Sequence, residues 1–318
     1  MLLEIFLIVL SMAVVLWGAD RFTDGASGLA RRLKVSELVI GLTVVALGTS
    51  LPEFVVSFMS VLRGSGNMSV GNIVGSNVFN SLVVIGTAAI ALSMKVEKSL
   101  LVRDIPLMFI ASMMLFGFAF FDGIISRWEA LLLLVFFCCY SLIAYRVGVS
   151  DRKAKTLSDS QPEAEETAEV MPVTKILLLI TVGIVSLAVG GRVLVENAAS
   201  VAREFHVSES VIGLTILAAG TSLPELVTSI IAARKGSKGL ALGNAIGSNI
   251  FNIAFVLGIC GSISPIAVTE ITPMDWTMLV GSCVLVWFVA WTGRKLNRRE
   301  GIVLVLCYLT YLFLLLKG

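Results

Sequence analysis

The chain has 318 residues, of which 57% are hydrophobic and only 14% are charged, and its mean hydropathy is +0.95. Soluble domains carry about 25% charged residues, so this composition excludes an ordinary soluble protein and indicates a membrane protein. The net charge of +2 gives no sign of a nucleic-acid partner, and we expect none.

Ten apolar stretches follow one another along the chain, and each approaches the roughly 20 residues that a helix needs to cross a bilayer. They are residues 2–19, 36–62, 68–93, 103–121, 127–147, 173–195, 208–233, 239–264, 274–293 and 301–316. The connections are short and leave no room for a soluble catalytic domain, so we do not expect an enzyme or a cofactor. The predicted fold class is an all-α membrane protein with ten transmembrane helices.

The sequence repeats itself at an offset of 172 residues. Residues 36–53 (SELVIGLTVVALGTSLPE) and 208–225 (SESVIGLTILAAGTSLPE) are identical at 14 of 18 positions. With the same offset, GNIVGSNVFN at 71–80 returns as GNAIGSNIFN at 243–252, with 7 of 10 positions identical. Each half then holds five spans, and because five is odd the second half enters the membrane inverted, as in many secondary transporters.

This repeat divides the chain into two five-helix units joined by a polar linker. The predicted units are 1–147 with its motif at 36–93, the linker 148–172, and 173–318 with its motif at 208–264. If the N-terminus lies outside, 19 of the 24 Lys and Arg residues fall on the inner side. Inner connections are normally rich in these residues, so we predict both termini outside the cytoplasmic (inner) membrane and a cytoplasmic linker. We expect a monomer surrounded by the lipid bilayer.

Glu53 and Glu225 are the charged residues that lie well inside apolar stretches, at equivalent positions of the repeat. A charged side chain at the centre of a membrane helix costs about 2.5–3.5 kcal/mol on insertion scales. Such residues are usually functional. The alternative is a carboxyl group that is protonated or satisfied by packing. This interpretation is the weaker one, because the glutamate occurs at equivalent positions in both halves.

Each glutamate ends a GTSLPE sequence that predicts a broken helix. Pro52 and Pro224 have no N–H to donate to the carbonyl four residues earlier, so carbonyls around Ala46–Gly48 and Ala218–Gly220 are freed at the negative end of a half-helix. Hydroxyls adjoin them at Thr49, Ser50, Thr221 and Ser222. Carboxylates, carbonyls and hydroxyls suit hard cations such as Ca2+ and Na+.

The GNxxGSNxFN motif adds polar residues to the next apolar stretch of each half. Positions four apart share a helix face, so Ser76 with Asn80, and Ser248 with Asn252, are predicted to face the carboxylates. The intervening Asn77 and Asn249 are predicted to bond the backbone of the neighbouring break. Small and polar residues also pack membrane helices against each other, and this alternative stays open for the motif taken alone.

These paired motifs resemble the two α-repeats of the Na+/Ca2+ exchanger family of the cation/Ca2+ antiporter superfamily, of the prokaryotic type without a regulatory domain. The resemblance covers essentially the whole chain. It implies Na+/Ca2+ antiport and sliding of spans 1 and 6 against the other eight. It also implies Ca2+ ligation by Glu53, Glu225, Thr49 and Thr221; completion of the Na+ sites by Ser50, Ser76, Ser222, Ser248 and the carbonyls of Ala46 and Ala218; and closure of the centre by Asn80 and Asn252. Some archaeal relatives carry Asp where this chain has Asn252, so one negative charge is absent here.

The sequence leaves three alternatives to Na+/Ca2+ exchange. Two carboxylates at close range compete for ionisation, so a proton-coupled cation antiporter is the main alternative. A cation channel with glutamates at a constriction is less favoured, because a channel needs no inverted pair of broken helices. An intramembrane hydrolase is the third alternative, but the sequence shows no nucleophile–base pair beside the duplicated glutamate.

Overall fold

The computed structural model describes residues 2–158, 171–205 and 218–317. The helices are α1 (Leu2–Leu33), α2 (Glu37–Thr49), α3 (Leu51–Leu62), α4 (Gly66–Ala91), α5 (Leu100–Phe120), α6 (Arg127–Ser158), α7 (Val173–Glu204), α8 (Ala218–Thr221), α9 (Leu223–Arg234), α10 (Lys238–Ile263), α11 (Pro273–Trp291) and α12 (Arg298–Lys317). Four two-residue strands join them: β1 (Met94–Lys95), β2 (Ile124–Ile125), β3 (Ile266–Ala267) and β4 (Lys295–Leu296).

The predicted all-α membrane class is confirmed, and the short strands do not change it. Within the described residues, eight helices are long and apolar enough to cross a membrane, and the bent pair α2 and α3 makes a ninth. The remaining predicted span, 208–233, and the motif 208–264 both begin outside the described residues, and residues 159–170 of the linker 148–172 also lie outside them. The count of ten therefore stays a prediction.

Three helices run well past their predicted ends. Helices α1, α6 and α7 have 32 residues each, whereas the apolar stretches ended at residues 19, 147 and 195. A 32-residue helix is about 48 Å long, against about 30 Å for the hydrocarbon core. Hydropathy marks only the part within lipid, and the backbone hydrogen bonds continue through the polar residues that follow.

Helices α1 and α7 pack against each other along glycines. A Cβ atom on Gly18 would lie 2.5 Å from the Cβ of Ser186, and one on Gly183 would lie 2.6 Å from the Cβ of Phe22. The two backbones therefore touch at these points, as small residues permit in membrane helices. These helices are the first elements of the two predicted halves.

The short strands link the halves at two places. Strand β1 pairs antiparallel with β4 through Met94 and Leu296, and β2 pairs antiparallel with β3 through Ile124 and Ala267. Each pair joins one strand from before the linker to one from after it. Each strand pair therefore joins two connections that the charge bias assigned to the same side of the membrane.

Turns of π-helix interrupt several of these helices, a feature that the sequence did not predict. They cover Gly41–Val45 in α2, Asn80–Val84 in α4, Leu100–Asp104 in α5 and Phe251–Leu257 in α10. Such turns are frequently found at functional sites. Two of them contain Asn80 and Asn252, which the sequence assigned to the centre of the site.

A candidate cation site between the two halves

The break predicted at each GTSLPE sequence is present. Helices α2 and α3 meet at an angle of 47° across Ser50, whose φ and ψ are −83° and 7°. Ser222 interrupts the second half in the same way, with φ −88° and ψ 10°. The carbonyl of Ala46 is not freed as expected, because the N–H of Ser50 donates to it at 3.1 Å. It keeps a second lone pair for another partner.

The two glutamates lie at these breaks with no exposure to solvent. Each accepts a hydrogen bond from the break of the other half. The Oγ of Ser222 donates to Oε1 of Glu53 at 3.0 Å, and the Oγ of Ser50 donates to Oε1 of Glu225 at 2.9 Å. Each half therefore provides one serine hydroxyl to the glutamate of the other half, and the carboxylates lie where the two helix breaks meet.

Further hydroxyls surround Glu225. The Oγ of Ser248 lies 3.4 Å from Oε1 of Glu225, 3.4 Å from the carbonyl of Ala46 and 3.4 Å from Oγ1 of Thr49. Thr49 itself donates to Oδ1 of Asn244 at 2.9 Å. These predicted site residues thus form one connected set of oxygens.

Two asparagines that sequence reasoning missed hold the breaks against the neighbouring helices. Asn244 donates from Nδ2 to Oγ of Ser229 at 2.9 Å and to the carbonyl of Glu225 at 3.2 Å. Asn72 makes the equivalent bonds to Ser57 at 3.0 Å and to the carbonyl of Glu53 at 3.4 Å. The signal was present, since both occupy the second position of GNxxGSN, which recurs in each half.

Four other predicted site residues have few or no hydrogen bonds to the site: Thr221, Ala218, Ser76 and Asn80. Thr221 reaches Oδ1 of Asn72 at 3.5 Å and has a further interaction. Ala218 begins α8, and its side chain lies outside the described part. Ser76 and Asn80 are buried, and their side chains have no hydrogen-bond partner among the described residues.

Among the described residues, Asn77 and Asn249 do not bond the backbone of the broken helices, so that prediction was wrong. They bond each other's backbone instead: Asn77 Nδ2 donates to the carbonyl of Asn249 at 3.0 Å, and the reverse bond measures 3.3 Å. The two GSN motifs cross at this point. The sequence could not indicate this crossing, because it depends on how the inverted halves pack.

The site contains buried oxygens without hydrogen-bond partners among the described residues. They are Oε2 of Glu53, Oε2 of Glu225, Oγ of Ser76, Oδ1 of Asn80 and Oδ1 of Asn252. A buried unpaired oxygen costs about 1–3 kcal/mol, and more if it is charged. Hard cations bind such oxygens, so this donor set fits a cation as the missing partner. No group of three His, Cys, Asp or Glu residues capable of holding a metal occurs in the described ranges, and the other unpaired oxygens named here belong to hydroxyl and amide groups.

An all-helical membrane fold with a duplicated buried glutamate at paired helix breaks defines a multi-span cation transporter. A sequence profile of the family described as "Sodium/calcium exchanger protein" matches residues 3–146 and 175–317. The chain belongs to the sodium/calcium exchanger family.

Individual relatives are similar over nearly their whole length. "Inner membrane protein YrbG" of Escherichia coli (strain K12) is 34% identical, with 99% of this chain and 97% of the relative covered. "Sodium/calcium exchanger MaX1" of Methanosarcina acetivorans is 31% identical, with 97% of each covered. The solved structure of the sodium-calcium exchanger NCX_Mj, soaked with 2.5 mM Na+ and 0.1 mM Ca2+, superposes with a TM-score of 0.82 at 28% identity. It covers 99% of this chain, and 98% of that chain is matched.

Proposed function

We propose that this protein exchanges Na+ for Ca2+ across the membrane by alternating access. The observation that carries the proposal is the pair of reciprocal bonds, Ser50 to Glu225 and Ser222 to Glu53, beside buried carboxylate oxygens that have no hydrogen-bond partner in the described part of the chain. One site is thus built from both related halves. The choice of Na+ and Ca2+ as the two exchanged ions is supported by relatives described as a sodium/calcium exchanger and a sodium-calcium exchanger.

The charge of the site favours exchange over one-way transport. Glu53 and Glu225 give the site a formal charge of −2, which one Ca2+ neutralises. More than one Na+ does the same with the help of neutral oxygens. Closing an empty site of this charge away from water is unfavourable, so the loaded protein reorients more easily than the empty one. A carrier that returns only when loaded is an exchanger.

Each predicted site residue has a proposed role. Ca2+ binds Glu53 and Glu225 together with the hydroxyls of Thr49 and Thr221. Na+ uses the same carboxylates together with Ser50, Ser76, Ser222, Ser248 and the carbonyls of Ala46 and Ala218. The central oxygens come from Asn80 and Asn252. Burial, the hydrogen bonds around Glu225 and the unpaired oxygens support this assignment.

We also propose the arrangement in the membrane. The two inverted repeats are 1–147 and 173–318, the linker 148–172 is cytoplasmic, and both termini lie outside the cytoplasmic (inner) membrane. The distribution of Lys and Arg supports this orientation, and the relative described as an inner membrane protein supports the compartment. The protein acts as a monomer in the bilayer, since each chain contains both halves of the site.

Uptake of 45Ca2+ into proteoliposomes containing the purified protein tests the function. We expect Ca2+ to accumulate when the vesicles are loaded with Na+ and diluted into Na+-free buffer. Accumulation driven only by an imposed proton gradient would replace Na+ with H+ as the coupling ion. Equilibration of Ca2+ without any counter-ion gradient would identify a channel and contradict exchange.

A further inference from the structure

We propose that Asn77 is a positioning residue that turns the side-chain oxygen of Asn252 toward the transported cation. The inference rests on the proposed exchange function, because Asn252 belongs to the same site. It concerns a residue whose own side chain is fully engaged with protein groups.

The orientation of the Asn77 amide follows from its partner. Its nitrogen Nδ2 donates to the main-chain carbonyl of Asn249 at 3.0 Å. A carbonyl can only accept, so the NH2 group of Asn77 must face Asn249 and its oxygen Oδ1 must face the other way. Donor chemistry therefore settles the orientation, and a flipped amide would place two acceptors against each other.

The orientation of Asn77 in turn determines the orientation of the Asn252 amide. Nδ2 of Asn252 donates to Oδ1 of Asn77 at 3.1 Å. This oxygen only accepts, so Asn252 must present its nitrogen to Asn77 and direct its own oxygen elsewhere. That oxygen is buried and has no hydrogen-bond partner among the described residues. An amide turned by 180° would present N–H donors to a cation, which binds oxygen.

The repeat does not reproduce this arrangement in the other half. The equivalent bond would join Asn80 to Oδ1 of Asn249, yet both amide atoms of Asn80 and that oxygen are unpaired within the described chain. Nδ2 of Asn249 instead also contacts Oγ of Ser81 at 2.8 Å and Sδ of Met108 at 3.3 Å.

Sequence differences between the halves accompany this asymmetry. At the repeat offset, Ser81 corresponds to Ile253 and Met108 corresponds to Val280, neither of which offers an acceptor. Asn249 is therefore a matched control for Asn77. It is the same residue type at the same helix position, but it holds no central asparagine.

The first test removes the acceptor and keeps the approximate size of the side chain. Purified Asn77→Leu in proteoliposomes is compared with the parent protein for Na+-driven 45Ca2+ uptake over a range of Ca2+ concentrations. We expect its KM for Ca2+ to rise about tenfold, which corresponds to about 1.4 kcal/mol of lost ligand interaction. The maximal rate should change much less. Asn249→Leu retains the carbonyl that orients Asn77, so its KM should stay close to that of the parent.

The second test combines the change with Asn252→Asp, because a carboxylate presents an oxygen in either orientation. If Asn77 acts by orienting Asn252, Asn77→Leu should leave the KM of Asn252→Asp unchanged or lower it. A double-mutant cycle measures this coupling. A tenfold rise in KM in both backgrounds would show a merely structural role and overturn the inference. If Asn77→Leu does not purify as a monodisperse protein, Asn77→Ala gives the same cycle.

The tests separate this inference from the proposed function. A parent protein that exchanges Na+ for Ca2+, together with an unchanged KM in Asn77→Leu, would overturn the positioning role alone. A parent protein without exchange would overturn the proposed function and this inference with it.

Discussion

The hydroxyl of Ser50, in the first half of the chain, donates a 2.9 Å hydrogen bond to the carboxylate of Glu225, in the second half. Ser222 returns the bond to Glu53 at 3.0 Å. Each carboxylate is therefore held by a hydroxyl of the opposite half, so a displacement of one broken helix moves its own carboxylate and changes the hydrogen bond to the other.

Removing a serine hydroxyl should weaken cation binding. A hydrogen bond to a charged group contributes about 1.5–3 kcal/mol, so Ser50→Ala should raise the KM for Ca2+ roughly 10- to 100-fold in proteoliposomes. Ser222→Ala should have a similar effect. Ser112→Ala is the control, because Ser112 is buried and donates to a carbonyl of its own helix at Met108. Equal losses in Ser112→Ala and Ser50→Ala would contradict a specific role for the bond.

Neutralising either carboxylate should abolish exchange without unfolding the protein. Glu53→Gln and Glu225→Gln each remove a charged ligand and also a buried charge, so the melting temperature in detergent should hold or rise. Both variants should lose Na+-driven 45Ca2+ uptake. Glu270→Gln, on the exposed surface, should retain it. Normal exchange by purified Glu53→Gln would refute the site.

The contact between α1 and α7 should tolerate no added methyl group at Gly183. A Cβ atom there would lie 2.8 Å from the Cα atom of Phe22, in addition to the clash with its Cβ atom. Overpacking of this kind costs about 1–3 kcal/mol, so Gly183→Ala should melt at a lower temperature and transport more slowly. Gly191→Ala lies on the same helix with nothing within 4 Å of the added atom, and its stability should be unchanged or higher. Indistinguishable melting curves for Gly183→Ala and Gly191→Ala would show that the helices do not touch at Gly183.

Lys235 ties the end of α9 to α1. Its Nζ atom lies 2.6 Å from Oδ1 of Asp20 and 2.7 Å from Oδ1 of Asp24. If α1 slides during transport, Lys235→Met should make this movement easier, because the two ion pairs between Lys235 and α1 are lost. Partly exposed ion pairs contribute about 0.2–1 kcal/mol each, so a cysteine introduced by Ser27→Cys should react with a thiol reagent roughly two- to tenfold faster.

The adjacent Arg234 gives the control for this experiment. It forms no ion pair with another residue in the described part of the chain. Arg234→Met removes one positive charge from the same helix end and should leave the labelling rate of Ser27→Cys unchanged. Equal acceleration by both variants would attribute the effect to net charge and not to the ion pairs.

Thiol labelling in intact cells should reveal the orientation. On a background without the five native cysteines, Gln161→Cys lies in the predicted cytoplasmic linker and Gly318→Cys lies at the predicted external end. A membrane-impermeant reagent should label position 318 and spare position 161 until the cells are opened. The opposite pattern would reverse the topology.

The sequence by itself determined the membrane class, the repeat and the positions of Glu53 and Glu225. Long apolar stretches and identical motifs are patterns along the chain, and an acidic residue inside such a stretch needs no structure to be noticed. The break at Pro52 followed from a missing N–H, which is also a local property. Helix ends were less well predicted, because α1 and α7 continue as helices beyond their apolar parts.

Only the tertiary structure decided which residues meet. The pairing of Ser50 with Glu225, the bonds of Asn244 to Ser229, and the orientation of Asn252 by Asn77 join elements that are distant in sequence or lie on different helices. Identical motifs in two inverted halves leave open whether a donor serves its own carboxylate or the other one. The packing of the halves makes that choice, because a hydrogen bond depends on distance and direction in space.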